Sequence, residues 1–287
     1  MATADPKRDG ASTTGTEEIG SRSKEVKWYN PELTNIPEAI QEVFEKYSKI
    51  PPERVHDHIY KVRERAWDVW PFPCIGGWRF LTLIQHSMPQ YSEIVRRLID
   101  GEKYLDLGCG LGQEMRRLIY DGVPSENLYG TDLRPEFLDM GYELFVDRET
   151  CHSTFIAADA FSESSELSQL NGTISVIFAG AFFHLFGRKK QLDIARLVTR
   201  LLKPTTGSMV LGRQVGSVKP GLYEHGTNPD SNMFRHDGQT WQELWDEVGA
   251  ETGVKWHVET TLTLVPVADR GLADENLRML KFCVRRL

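Results

Sequence analysis

The sequence predicts an α/β protein: a doubly wound, mostly parallel sheet closed by an antiparallel strand pair, with a helical region ahead of it. Three observations carry this reading. After Gly101, short apolar runs alternate with amphipathic segments, the pattern of successive βαβ units. The first of those runs leads into a glycine-rich turn, Asp106-x-Gly108-x-Gly110-x-Gly112, placed where a strand passes into a helix. The last two strand-like runs, "KWHVETTLTLVP" and "NLRMLKFCVRR", have no useful helix between them and so pair antiparallel.

Each element follows in order. Residues 1–25 are rich in Ser, Thr, Gly and charge and are expected to be disordered. Residues 26–100 read as a helical, aromatic-rich region. Pro37 suits a first helical turn, and Ile40, Val43, Phe44 and Tyr47 mark one apolar stripe. Val55, Ile59, Val62, Ala66 and Val69 mark a second. The helical pattern runs from Pro37 to Trp70, breaks at "WPFPCIGGWRFL", and resumes from Gln90 to Asp100. Residues 101–287 form the sheet domain. Its candidate strands are Lys103–Leu107, Asn127–Asp132, Ser153–Ala158, Ser175–Gly180 and Gly207–Val215. Helices are expected at Leu111–Tyr120, Pro135–Phe145, Glu163–Leu170 and Lys189–Leu202, with another at "TWQELWDEVGAETG".

Composition narrows the function. A net charge of -7 over 287 residues argues against a surface that coats nucleic acid. No run of about 18 apolar residues suggests a membrane span, and no signal peptide is visible, so a soluble cytoplasmic protein is expected. The four cysteines form no C-x-x-C pair, which fits a reducing compartment and no zinc ribbon. Cys109 lies inside the glycine turn without an adjacent base, so it reads as a small turn residue rather than a nucleophile.

The turn lacks the Lys-Ser/Thr of a P-loop, and Gly112 falls one place early for a dinucleotide site. Asp106 and Glu114 flank it, a carboxylate-rich setting matched to a cation rather than to a pyrophosphate. Thr131 and Asp132 end the second strand about 20 residues on, where a carboxylate accepts hydrogen bonds from both ribose hydroxyls. The alternative role for Asp132 is to cap the helix that starts at Pro135. Asp159, with Ala160 beside it, closes the third strand where an adenine amino group would be read.

Acidic residues on three successive strand ends resemble the class I S-adenosylmethionine-dependent methyltransferases, whose sheet is Rossmann-like. "LLKPTTGSMVLGRQ" extends the resemblance, with Thr205 where the family usually has a glycine. The resemblance covers Gly101 to Leu287 and implies S-adenosyl-L-methionine as cofactor, held by Asp106, Gly108, Gly110, Gly112, Thr131, Asp132, Asp159 and Ala160, with no metal. An NAD binder and a catalytically dead module stay open on the residues alone.

The acceptor is less constrained. After the fourth strand the chain has "FAGAFFHLF", not the Asn/Asp-Pro-Pro-Tyr/Phe of amine-methylating sites, and no metal-binding carboxylates for a catechol. A phenol, with a pKa of about 10, would need a base, and His184 is the candidate in place; a core histidine is the competing reading. A carboxylic acid, with a pKa of about 4, needs only orientation. "DVWPFPCIGGWRFL", the long stretch from Tyr104 to Arg148 and "FIAADAF" are similar to the fungal methyltransferases of meroterpenoid and related polyketide pathways. That resemblance implies carboxyl O-methylation of a prenylated aromatic polyketide acid under an aromatic lid. The acceptor contacts would then come from Trp70, Trp78, Arg79 and Arg213, with His184 orienting the acid or serving as base. Related enzymes and the aromatic helical extension point to a homodimer.

Overall fold

The computed structural model describes residues 22–162, 166–224, 232–265 and 275–287. The expected disordered stretch falls largely outside these residues. Its last part is described, and the Arg22 carbonyl accepts a hydrogen bond from the Trp67 indole at 3.1 Å.

The N-terminal stripes bury as their spacing requires. Helix α1 (Glu38–Glu42) continues into a π-helical turn, Val43–Tyr47, and Ile40, Val43 and Phe44 are fully buried. The helical pattern breaks before Pro52, where Lys49 takes a left-handed backbone (φ 56°). Helix α2 (Pro52–Val69) then starts on proline and buries Val55, Ile59, Val62 and Ala66. A short α3 (Pro73–Gly76) and two 3-10 turns, Arg79–Leu81 and Gln85–Ser87, lead to α4 (Tyr91–Ile99). Much of this region packs on one sheet-domain helix, α6 (Pro135–Phe145): the Phe44 and Phe145 rings stack at 5.4 Å.

The sheet has seven strands in the order β3-β2-β1-β4-β5-β9-β8. Strands β1 (Tyr104–Leu107), β2 (Leu128–Asp132), β3 (Thr154–Ala157), β4 (Val176–Phe178) and β5 (Met209–Ser217) are parallel. β8 (Trp256–Leu264) and β9 (Leu277–Arg286) form the expected antiparallel pair, with β9 inserted between β5 and β8. Strand order reverses between β1 and β4, so the turn after β1 lies at the crevice where open α/β sheets bind ligands. Helices α5 (Gln113–Tyr120), α7 (Arg188–Leu201) and α8 (Gly238–Thr252) complete the layers. One face buries Leu105, Ile177 and Val210 with Trp241 and Trp245, and the other buries Tyr104, Phe178 and Leu211 with Ile94 and Met115.

Two features depart from the sequence reading. Where a helix is expected over Glu163–Leu170, Glu166–Leu170 form a 3-10 turn, and residues 163–165 lie outside the described ones. Between β5 and α8 the chain makes an unexpected hairpin of β6 (Gly221–Glu224) and β7 (Asn232–Arg235). β7 is rooted on the loop after β4, since Phe234 N donates to the Phe186 carbonyl at 2.9 Å.

Candidate functional site

The glycine turn is shaped by backbone the strands supply. Gly108, Gly110 and Gly112 all take positive φ (76°, 55° and 70°), which other residues adopt only under strain. The amides of Gly108 and Cys109 both donate to the Thr131 carbonyl, at 2.8 and 2.9 Å. The Thr131 hydroxyl donates to the Ile156 carbonyl at 2.9 Å, so this side chain staples β2 to β3. A Cβ on Gly108 would sit 2.5 Å from the Phe182 ring, whereas one on Gly110 would meet nothing within 4 Å. The open side of the turn is therefore at Gly110.

Asp132 joins that open side to the end of β2. One carboxylate oxygen accepts the Gly110 amide at 3.0 Å and the other accepts the Arg134 amide at 3.0 Å. Helix α6 follows Arg134 without a side-chain cap, so Asp132 shapes the turn rather than capping that helix. Its carboxyl is raised above the usual range by burial, with the Arg134 and Gly110 amides opposing. Leu133, next to it, is 56% exposed despite being apolar. Asp159 lies just beyond β3, exposed, and accepts the Phe161 amide at 2.9 Å; Ala160 beside it is half-buried.

Asp106 is buried at the end of β1. Its carboxyl is pushed well above the ordinary value, first by burial and then by the charges of Glu114 and Asp132. Glu114 is buried on the first turn of α5 and pushed up to about 7 by burial, with the Gln85 and Ile84 amides and Arg213 opposing. Three carboxylates thus converge under one turn. Holding them there is costly for the bare protein and favourable for a cation between them.

The helical region covers this end of the sheet. The Cys74 thiol on α3 is pushed up to about 11 by burial, with Arg79 lowering it and Asp132 raising it. The Arg134 guanidinium lies 4.0 Å over the Trp70 ring, whose buried indole N–H has no hydrogen-bond partner among the described residues. Trp78 sits deeper in the lid: its indole donates to the Asn30 carbonyl at 2.9 Å, and its ring lies 4.6 Å from Tyr60. On the sheet side, His184 is half-buried on the 3-10 turn Phe183–Leu185 that follows β4. Arg213 lies at the middle of β5, its carbonyl accepting the Ala181 amide at 2.7 Å and its charge bearing on Glu114. Trp70, Arg134 and Asp132 therefore gather at one end of the crevice, and Arg213 bears on Glu114 at another seam. Among the described residues, no cluster of His, Cys, Asp or Glu can hold a metal ion.

Residues 28–81 match a family model described as a meroterpenoid methyltransferase N-terminal domain, and residues 105–205 match a methyltransferase domain. The chain is 47% identical to the O-methyltransferase phiE of a fungal species over 245 residues, 84% of this chain and 81% of that protein. The chain belongs to the fungal meroterpenoid-type methyltransferases. It is also 40% identical over 287 residues to the O-methyltransferase atr3 of Stereocaulon alpinum, covering 96% of this chain and 83% of that one. With the asnovolin E/chermesin D methyltransferase nvfJ of Aspergillus novofumigatus it shares 42% identity over 228 residues, 79% and 82% of the two chains. Among solved structures, the Haemonchus contortus phospholethanolamine N-methyltransferase 2, in complex with phosphomonomethylethanolamine and S-adenosylhomocysteine, shares the fold at a TM-score of 0.52. Identity there is 14%, over 89% of this chain and 61% of that one.

This meroterpenoid-type methyltransferase uses S-adenosylmethionine, and the donor side of its site fits that cofactor. A cationic nucleoside needs what is present: buried carboxyl groups that a bound cation would keep ionised, open space beside Gly110 and an exposed apolar side chain at Leu133. Two contributors escaped the sequence reading. Leu133 was detectable as an apolar residue directly after Asp132. Phe182 gave no such signal, because its partner is a glycine's empty side.

Proposed function

We propose that the protein methylates the carboxyl oxygen of a prenylated aromatic polyketide acid in fungal secondary metabolism. The observation that carries this reading is the segregation of charge: the carboxylates crowd the donor side, whereas the loop after β4 (Ala179 to Phe186) is apolar apart from His184. When bound, S-adenosylmethionine supplies a sulfonium methyl that an acceptor oxygen takes in line, releasing S-adenosylhomocysteine. Asp132 accepts the ribose hydroxyls, Asp159 the adenine amino group, and Leu133 covers the base. Asp106 supplies the negative field for the donor's positive groups. An ionised acid needs no base, so Arg79 and His184 serve to orient it, and Trp70 walls the acceptor. Kinship with a methyltransferase named for asnovolin E and chermesin D supports a terpenoid-linked acceptor.

His184 favours one second reading, a phenolic acceptor whose proton passes to the imidazole. The two separate in one experiment with labelled S-adenosylmethionine and a panel of prenylated phenolic acids. The carboxyl reading expects an alkali-labile ester and, in His184→Ala, retention of much of the rate. An alkali-stable ether, with the variant losing about a hundredfold or more, would establish the phenol instead. We further infer a cytoplasmic homodimer: all four cysteines are free thiols, and light scattering of the purified chain tests the dimer.

A further inference from the structure

Glu114 is given no ligand contact in the function proposed above, yet its side chain is 2% exposed and carries a carboxylate into the seam between lid and sheet. One oxygen accepts the Ile84 amide at 2.5 Å, and both approach the Gln85 amide, at 3.2 and 3.3 Å. Those amides belong to the lid, at the entrance to the 3-10 turn Gln85–Ser87. Arg213 bears on the carboxylate from β5, and Asp106 and Tyr104 feel its charge from β1. The Gln85 side chain accepts the Tyr104 hydroxyl at 3.0 Å, so the lid segment is tied twice to the same place. An apolar residue would pack α5 here without the cost of burying a charge. What a carboxylate adds is a directional link. It fixes the backbone that follows Arg79 and Phe80 beside β1 and the middle of β5, and it benefits from the positive end of the α5 dipole.

We propose that Glu114 is a positioning residue for methyl transfer, holding the lid backbone at Ile84 and Gln85 against Arg213 and Asp106 and so setting where the acceptor lies relative to the donor methyl. The proposal rests on the methyltransferase reading of the crevice but not on the choice of carboxyl over phenol. It names a role in neither cofactor recognition nor proton transfer. The cofactor is met by the strand ends, and Glu114 acts through the backbone it holds.

The full-length protein and its Glu114→Ala and Glu114→Gln variants test it in two arms. Hydrogen exchange, with and without S-adenosylhomocysteine, needs no acceptor. In the wild type the Ile84 and Gln85 amides are slow. In Glu114→Ala both become fast, while amides of α5 stay protected and report an intact helix. Glu114→Gln, which can keep an acceptor oxygen at the Oε1 position that meets both amides, restores protection at both. In the second arm, using whichever prenylated phenolic acid the wild type methylates, Glu114→Ala raises acceptor KM or lowers kcat by about tenfold. Its Kd for S-adenosylhomocysteine stays within about threefold in the same experiment. Variants that lose thermal stability yet keep the wild-type kcat and acceptor KM would make Glu114 a packing residue only, and unchanged exchange at Ile84 and Gln85 would overturn the proposal outright. If no acid in the panel is methylated, the substrate reading fails, and the exchange arm still decides the role of Glu114.

Discussion

Asp132 has a structural task before any ligand arrives. Its two oxygens hold the amides of Gly110 and Arg134, and under the proposed function the same carboxylate also accepts hydrogen bonds from the ribose hydroxyls. Charge-assisted hydrogen bonds contribute roughly 1.5–3 kcal/mol each, so Asp132→Ala should weaken S-adenosylhomocysteine binding on the order of a hundredfold by calorimetry. Asp159 is exposed and its side chain accepts the Phe161 amide, so changing it to Ala should weaken binding about tenfold. Glu114 gives a pH test. Its folded-state carboxyl is pushed up to about 7, so the folded protein keeps a proton that the unfolded chain has already released. Stability from this group is complete below the ordinary glutamate range and is lost as pH rises towards 7. Glu114→Gln cannot lose it. Thermal unfolding from about pH 5 to about pH 8 should therefore move the Tm difference steadily in favour of the variant, and a constant difference would refute the shift.

At the scale of elements, the lid, α5 and α6 meet at one buried ion pair. Arg116, fully buried on α5, donates to Asp147 through Nε at 2.9 Å and Nη2 at 3.2 Å, and the Tyr47 hydroxyl donates to the same carboxylate at 2.8 Å. Removing one partner strands a buried charge, so Asp147→Ala should cost about 3–5 kcal/mol in urea unfolding. The pair was invisible in sequence because 31 residues separate its members and neither follows a motif. Strand positions were legible for the opposite reason. β4 carries a continuous apolar run that stops at Gly180, β1 and β2 are short segments that stop at Gly108 and Asp132, and the structure ends all three within two residues of the expected limits. The β6–β7 hairpin was not legible, since "GLYEHGTNPDSNMFR" shows no alternation and is dense in turn residues. The three acidic strand ends could be read from spacing alone. How the lid is fastened could not, since Ile84 and Gln85 contribute only their backbone.

Across the whole molecule, the lid has no core of its own to fold around. Its buried residues, from Ile40 to Leu83, share one cluster with Leu111, Phe137 and Phe145 of the sheet domain. The segment between Gly76 and Met88 is held with it, since Trp78, Phe80, Leu81 and Leu83 belong to the same cluster. No helix among the described residues is long and apolar enough to cross a membrane. The position of β9 bears on how the sheet is assembled. That strand comes after both of its neighbours in the chain, yet it lies between them, nine residue pairs deep on each side. Until it docks, β5 and β8 each present a bare edge, the kind of surface on which half-made proteins associate. A chain stalled before Leu277 during synthesis would thus hold a glycine turn and its carboxylates ready for the cofactor while exposing two open seams. In producing this enzyme, the interval before β9 docks is when aggregation competes hardest with folding.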